Sequence, residues 1–254
     1  MQVTTAFSQD VWTRRYHDAG PGAVRLVCFP HAGGSASFYF PVSQALAPRV
    51  EVLAVQYPGR QERRREAAVD SIHELADRIA EVLPLDDGRP TAFFGHSMGA
   101  SVAFEVAHRL ERDRGLSLLH LFASGRRAPD QVRIEDLHQR GDDAIVAELR
   151  RHSATDDRLL ADQELLRMIL PALRSDYRAI ETYRERPGTR LRCPLTVLVG
   201  TADPLVTTDE AEAWRAHTTG PTDVRYFPGG HFYLTERPAD VLAVVTEVLA
   251  SVHH

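Results

Sequence analysis

Short apolar runs alternate with amphipathic helical patterns along most of this chain of 254 residues. Runs with the length and composition of buried strands are Val24–Phe29, Val50–Gln56, Thr91–Phe94, Leu118–Ala123, Leu195–Val199 and Val224–Phe227. The stretch Ser71–Leu83 has apolar residues at helical spacing, and Ser71 and Glu74 predict a capping box at its start. Strands that alternate with helices predict an α/β fold with a mostly parallel central sheet flanked by helices.

One segment departs from this alternation. From Pro129 to Arg186 no strand is predicted, and the helical patterns Ile145–Arg151 and Leu165–Tyr183 dominate. We therefore expect a helical lid at residues 129–186, inserted into a single domain that spans residues 1–254. The alternative is that these helices continue the outer layer of the sheet.

Composition excludes several classes of protein. With 43% hydrophobic and 26% charged residues, the chain is neither disordered nor collagen-like, and its net charge of −5 argues against general nucleic-acid binding. No apolar run approaches the ~20 residues of a membrane span, and no signal peptide is visible, so we expect no membrane contact and a cytoplasmic location. Cys28 and Cys193 lie in strand-like runs and are expected to be buried thiols. All 30 basic residues are arginine, which excludes lysine Schiff-base chemistry.

The pentapeptide GHSMG at residues 95–99 follows the third predicted strand and opens the next helical pattern. This strand, turn and helix context is typical of a nucleophile elbow, in which a serine occupies a strained turn. Gly95 and Gly99 leave room for the strand and the helix to approach each other. The sequence therefore predicts Ser97 as a nucleophile, whereas His96 is expected to point away from it and to pack.

A nucleophilic serine needs a base and an orienting acid, which in this architecture follow it in the order acid, then histidine. His231 lies in a glycine-rich turn between the last predicted strand and the last helix. Asp203 follows the strand Leu195–Val199, where an acid of this kind is expected. Asp209 and Asp223 are its rivals, but the first lies in a helical pattern and the second starts a strand.

An acyl-transfer site also needs donors for the oxyanion. We expect the backbone N–H of Met98, directly after the nucleophile, and that of Ala32, in the loop FPHAGG at 29–34, to supply them. A phosphate-binding loop is disfavoured here because the Rossmann and Walker spacings are absent. The predicted site needs no metal.

Several segments together resemble the type II thioesterases, stand-alone α/β-hydrolases that accompany modular polyketide and nonribosomal peptide synthetases. They are FPHAGGSASFY at 29–39, QYPGRQERR at 56–64, FFGHSMGA at 93–100, GTADPLV at 200–206 and PGGHFYL at 228–234. The likeness runs from Trp12 nearly to the C-terminus, and the pairing of PHAGG with PGR is its most specific part. One departure is Val42, where the family often has tryptophan.

The resemblance implies hydrolysis of acyl thioesters on the phosphopantetheine arm of carrier domains, to remove aberrant acyl groups. It implies no separate cofactor, because the pantetheine belongs to the substrate, and it suggests a monomer. The lid helices would then cover an acyl chamber, with Leu166, Ile169 and Leu173 setting the acyl-length preference.

The residues alone leave other functions open. The same triad could serve a carboxylesterase, or an acyltransferase or cyclase in which a hydroxyl or amine replaces water. A non-catalytic carrier-binding module is a further alternative, but binding alone would not require Ser97, Asp203 and His231 together.

A cluster of arginines precedes the helix that starts at Ser71. Arg63, Arg64 and Arg65 are interpreted either as a solvated loop balanced by neighbouring glutamates or as a surface that meets an acidic carrier. Arg60 belongs to the PGR turn and is expected to brace the wall of the site.

Overall fold

The computed structural model describes residues 9–152 and 162–251. Within them, seven strands form one sheet in the order β1-β3-β2-β4-β5-β6-β7. The strands are β1 Thr13–Arg14, β2 Val24–Phe29, β3 Val50–Val55, β4 Thr91–His96, β5 His120–Ser124, β6 Leu195–Gly200 and β7 Thr222–Phe227. Only β1 is antiparallel, to β3, and the other neighbouring pairs are parallel. All six predicted strands are present, which confirms the predicted α/β fold.

Helices cover both faces of this sheet. The described α-helices are α1 Gln9–Trp12, α2 Phe40–Leu46, α3 Ile72–Val82, α4 Met98–Arg114, α5 Asp142–His152, α6 Gln163–Glu181, α7 Thr208–Glu212, α8 Tyr233–Glu236 and α9 Pro238–Ser251. Strand β2 shows why the sheet needs helices on both of its faces. Its Val27 and Phe29 join the core beneath α3 and α4, whereas Leu26 and Cys28 join the core beneath α2 and α9. Every residue of β2 is buried, as expected of a central parallel strand.

The predicted capping box at Ser71 forms only in half. The Ser71 hydroxyl accepts the backbone N–H of Glu74 at 3.3 Å, but the Glu74 carboxylate accepts from Arg78 one turn further along α3. A complete box caps α7 instead, where Thr207 and Glu210 each bind the other's backbone N–H.

The segment between β5 and β6 contains α5 and α6, and its described residues, 129–152 and 162–186, form no strand. Residues 153–161 of the predicted lid lie outside the described part. Ile145 of α5 packs with Leu170 and Leu173 of α6 in a small separate cluster. Further along α6, Ala179 and Ile180 join the main core. One end of α6 is therefore part of the globular body, and the other covers a space above it.

Both cysteines are free and buried, which confirms that prediction. Burial raises the pKa of the Cys193 thiol to about 12. Val42 is partly buried against the core beneath α2. Among the described helices, none combines the length and the apolar character that crossing a membrane requires.

Candidate active site

Ser97 lies in the tight turn between β4 and α4. Its backbone is strained for a residue with a side chain, with φ 54° and ψ −121°. A Cβ on Gly95 would lie 2.3 Å from the Gly99 carbonyl oxygen, and one on Gly99 would lie 2.1 Å from that of Phe29. Only glycine permits these approaches, so the geometry expected of a nucleophile elbow is present.

Asp203 and His231 come together at the same edge of the sheet. Asp203 follows β6 and His231 follows β7, and His231 Nδ1 lies 2.8 Å from Asp203 Oδ2. Asp203 Oδ1 accepts the Leu205 N–H at 2.9 Å, so both carboxylate oxygens are engaged. The Asp203 side chain is 0% exposed and the His231 side chain is 4% exposed. This pairing directs Nδ1 of the imidazole to the acid and leaves Nε2 for another partner.

The rival acids are placed elsewhere. Asp209 is exposed in the first turn of α7. Asp223 is exposed on β7 and pairs with Arg225. Asp203 is therefore the acid that the structure brings to His231.

The loop after β2 brings Ala32 to the cavity that Ser97 and His231 also line. The Gly34 N–H donates to the His31 carbonyl oxygen at 2.9 Å and closes a tight turn around Ala32. Across residues 9–152 and 162–251, neither the Ala32 N–H nor the Met98 N–H has an acceptor. Met98 is the first residue of α4, where a backbone N–H has no partner within the helix. Both predicted donors are thus available to a ligand.

Two further histidines, His96 and His31, belong to the group of rings around His231. The buried His96 ring lies 5.0 Å from the His231 ring, and its Nδ1 is 2.9 Å from Ser124 Oγ. The His31 ring packs between Phe38 and Phe232. Desolvation lowers the pKa of His31 to about 3 and holds the pKa of His96 well below its ordinary value. Both rings are therefore neutral near pH 7.

Sequence reasoning missed Gly125, which follows β5 beside this group. Its φ is 59°, and a Cβ would lie 2.7 Å from His96 Cε1 and 3.3 Å from His231 Cε1. A glycine directly after a strand that neighbours the nucleophile strand was the signal available in the sequence.

The cavity has a volume of about 1150 Å³. One wall is an apolar face of α6 that contains Leu165, Met168, Ile169, Ala172 and Leu173. Leu166, the third residue expected to set the acyl-length preference, does not line the cavity and packs against the small cluster of α5 and α6.

The Arg60 side chain is 9% exposed and forms a two-pronged ion pair with Asp176 of α6, at 2.7 and 2.8 Å. Burial opposes its charge, but the Asp176 carboxylate outweighs this effect, so the pKa of Arg60 lies above its ordinary value. Arg60 braces the cavity wall, as one interpretation of the PGR turn predicted.

The expected arginine surface needs correction at Arg63. This side chain is 2% exposed, pairs with Glu66 and lies 4.1 Å from the centre of the Trp12 ring. The cation–π contact and a hydrogen bond to the Gln56 carbonyl oxygen hold it inside, whereas its partner Glu66 is half exposed. Arg64 and Arg65 remain exposed.

The profile of the thioesterase domain matches residues 24–251 of the chain. The chain belongs to the thioesterase domain family. It is 58% identical over 253 residues to a probable cadicidin biosynthesis thioesterase of Streptomyces griseus, covering 99% of this chain and 69% of that protein. It is 52% identical over 229 residues to thioesterase PikA5 of Streptomyces venezuelae, covering 89% and 81%.

A solved structure agrees with these relatives. The type II thioesterase BorB from the borrelidin biosynthetic cluster superposes with a TM-score of 0.88 at 51% identity, covering 96% of this chain and all of that one. The predicted resemblance to type II thioesterases and the α/β-hydrolase fold are therefore confirmed, and the protein is a thioester hydrolase. Within the described part of this thioesterase, no group of three or more His, Cys, Asp or Glu side chains could hold a metal ion.

Proposed function

We propose that this thioesterase hydrolyses acyl groups from the phosphopantetheine arm of carrier domains, and so clears aberrant chains from a polyketide or nonribosomal peptide synthase. The observation that carries this proposal is one cavity lined by both Ser97 and His231, with His231 held by the buried Asp203. The similarity to a probable cadicidin biosynthesis thioesterase and to a type II thioesterase from the borrelidin biosynthetic cluster supports the substrate class. The cytoplasmic location and the monomeric state expected from the sequence stay predictions.

In the first half-reaction, Ser97 Oγ attacks the thioester carbonyl carbon while His231 Nε2 takes the hydroxyl proton. The carbonyl oxygen becomes an oxyanion that accepts hydrogen bonds from the backbone N–H groups of Ala32 and Met98. When this intermediate collapses, the C–S bond breaks and His231 returns the proton to the pantetheine sulfur. An acyl-serine and a free thiol result.

In the second half-reaction, His231 Nε2 takes a proton from water, whose oxygen attacks the acyl-serine carbonyl. Asp203 keeps the imidazole in the tautomer with its proton on Nδ1 and stabilises the imidazolium that forms. Collapse returns the proton to Ser97 Oγ and releases the carboxylic acid.

The inserted helices supply the chamber for the acyl chain in this proposal. The apolar face of α6 borders the same cavity as the loop that contains Ala32. Ile169 and Leu173 lie on that face, so their size sets the space for the chain. Residues 129–152 and 162–186 thus act as the described part of a lid.

Ser97→Ala tests the proposal. We expect the fold to persist and hydrolysis of acyl-carrier thioester to fall by at least ~10³-fold, because members of a triad act as a unit. The acyl adduct detected by intact mass in the wild type should be absent. Ser101→Ala removes a buried hydroxyl from the same helix and should retain activity.

The choice of substrate separates the alternatives. Acyl-carrier, acyl-pantetheine and p-nitrophenyl ester substrates are compared on the same protein. A preference for the ester would indicate a carboxylesterase, and transfer to an added alcohol or amine would indicate an acyltransferase. A protein that does not react with a serine-directed fluorophosphonate would be a binding module, and the proposal would be wrong.

A further inference from the structure

The carboxylate of Asp176 joins three distant parts of the chain beside the cavity. Asp176 lies on α6 and is completely buried. Its Oδ2 accepts the backbone N–H of Gly33 at 2.7 Å, and both of its oxygens accept from the Arg60 guanidinium. The loop after β2, the turn after β3 and the inserted helix therefore meet at one side chain.

The same loop is held at other points by the turn after β3. Arg60 Nη1 donates to the Gly34 carbonyl oxygen at 3.0 Å. The Tyr57 hydroxyl donates to the Pro30 carbonyl oxygen at 3.2 Å. The Arg60 guanidinium lies over the Tyr57 ring, 5.2 Å from its centre. These contacts lie on both sides of Ala32, so the loop has little freedom to change shape around it.

Helix α6 also touches this loop directly. Gly33 has φ 76°, and a Cβ there would lie 2.8 Å from Leu173 Cδ1. Leu173 is three residues before Asp176, which places the two side chains on one face of the helix. One face of α6 therefore packs a methyl group of Leu173 against Gly33 and binds the Gly33 N–H with the Asp176 carboxylate.

These contacts determine where the Ala32 N–H points. In a trans peptide the C=O and the N–H point in opposite directions, and the His31 carbonyl accepts the Gly34 N–H inside the turn. The Ala32 N–H, in the same peptide unit, is therefore directed out of the turn. Asp176 holds the other side of the turn through Gly33.

We propose that Asp176 is a positioning residue for the oxyanion hole, and that it aims the Ala32 N–H by fixing the turn at residues 31–34. This inference rests on the proposed function, in which Ala32 is an oxyanion donor. The inserted helix then does more than cover the cavity, because it completes the shape of the loop that stabilises the transition state. An interaction needed mainly in the transition state affects kcat more than KM.

Asp176→Leu tests the inference with a side chain of similar size that offers no acceptor to the Gly33 N–H. With a short acyl-pantetheine substrate, we expect kcat to fall ~10–100-fold, since one misplaced oxyanion donor costs up to that much. KM should change by less than about 3-fold, because ground-state binding is retained. The affinity for a trifluoromethyl ketone, which forms a tetrahedral oxyanion adduct with the serine, should fall by a factor similar to that of kcat.

Glu51→Leu is the matched control. Glu51 is also a buried carboxylate paired with an arginine, Arg25, but the pair lies at the opposite end of the sheet from Ser97. It should leave kcat and the ketone affinity unchanged, whatever it does to stability.

A second variant keeps the test valid if Asp176→Leu folds poorly because Arg60 has lost its carboxylate partner. Arg60→Met combined with Asp176→Leu replaces the whole buried ion pair by apolar side chains, an exchange that proteins often tolerate. The Gly33 N–H still loses its acceptor, so we expect a stable protein with a similarly reduced kcat.

Three results would overturn the inference: a wild-type kcat in Asp176→Leu, a rise in KM at unchanged kcat, or a fully active double variant. The first and third would show that the loop keeps its shape alone, and the second that Asp176 shapes only the binding wall. Ser97→Ala is measured in the same assay. If that variant stayed active, the proposed function would fail; if it were inactive while Asp176→Leu was normal, only this inference would.

Discussion

Replacing Asp203 by asparagine tests the assignment of the acid with a change of one atom. Asp203 Oδ1 accepts the Leu205 N–H, so the amide oxygen of asparagine takes that place. The amide NH₂ then faces His231 Nδ1, where Oδ2 lies 2.8 Å away in the wild type. Since NH₂ can only donate, Nδ1 must become the acceptor and the ring proton moves to Nε2.

The size of the effect follows from this change of tautomer. An imidazole with its proton on Nε2 cannot take the proton of the Ser97 hydroxyl. In a serine triad this exchange lowers kcat by about 10⁴-fold, equivalent to ~5–6 kcal/mol of transition-state stabilisation. His231→Ala removes the base altogether and should be at least as damaging. Packing should change little, because asparagine has nearly the same volume in this fully buried position.

The assay follows thiol release from acyl-pantetheine, with urea unfolding as a check on stability. Asp209→Asn and Asp223→Asn are matched controls, since both carboxylates are exposed, whereas Asp203 is the acid paired with His231. Their turnover should equal that of the wild type. A wild-type kcat in Asp203→Asn, or a large loss in either control, would refute the assignment.

Three further predictions concern the pH dependence of stability, association with the acyl carrier and the preferred length of the acyl chain. Burial lowers the pKa of His120 to about 4, so between about pH 6.5 and 4 this imidazole is protonated only in the unfolded chain. As the pH drops through that interval, His120 should lower the free energy of unfolding by about 3 kcal/mol, in addition to the contributions of the buried His31 and His96. Urea titrations of His120→Leu should lack the share of His120. Changing Arg64 and Arg65 to Glu should lower kcat/KM for acyl-carrier at low ionic strength and leave acyl-pantetheine hydrolysis unchanged, as stopped-flow assays across salt concentrations would show. Ile169→Ala should move the preference toward longer acyl chains, measured as kcat/KM over a series of acyl-pantetheines.

The sequence predicted the sheet well because its central strands are buried on both faces. Such strands must be continuously apolar, and β2 is an example that periodicity detects directly. The two-residue strand β1 and the helix α2 were missed, since each is too short to establish a pattern. The capping box at Ser71 was predicted from spacing alone. In the structure the Glu74 carboxylate binds Arg78 and not the backbone N–H of Ser71.

Position along the chain was also enough to predict which acid meets His231. Parallel strands end at one edge, so the residues after β4, β6 and β7 had to converge there. The fate of Arg63 could not be predicted in this way. Its burial depends on the Trp12 ring, which is distant in sequence and reaches it only after the chain has folded.

The role of α6 shows what a local pattern leaves out. Its apolar face is visible in the sequence and predicts a helix that packs over the site. Nothing in the sequence, however, distinguishes Asp176 on that helix from an exposed acid. Only the fold reveals that the carboxylate is buried, because its partners Arg60 and Gly33 come from loops more than a hundred residues away. A buried charge that loses its partner is costly. Asp176 therefore ties helix α6 to the loop after β2. We expect any movement of α6 that admits an acyl chain to occur toward its other end, where Met168 lines the cavity and is about half exposed.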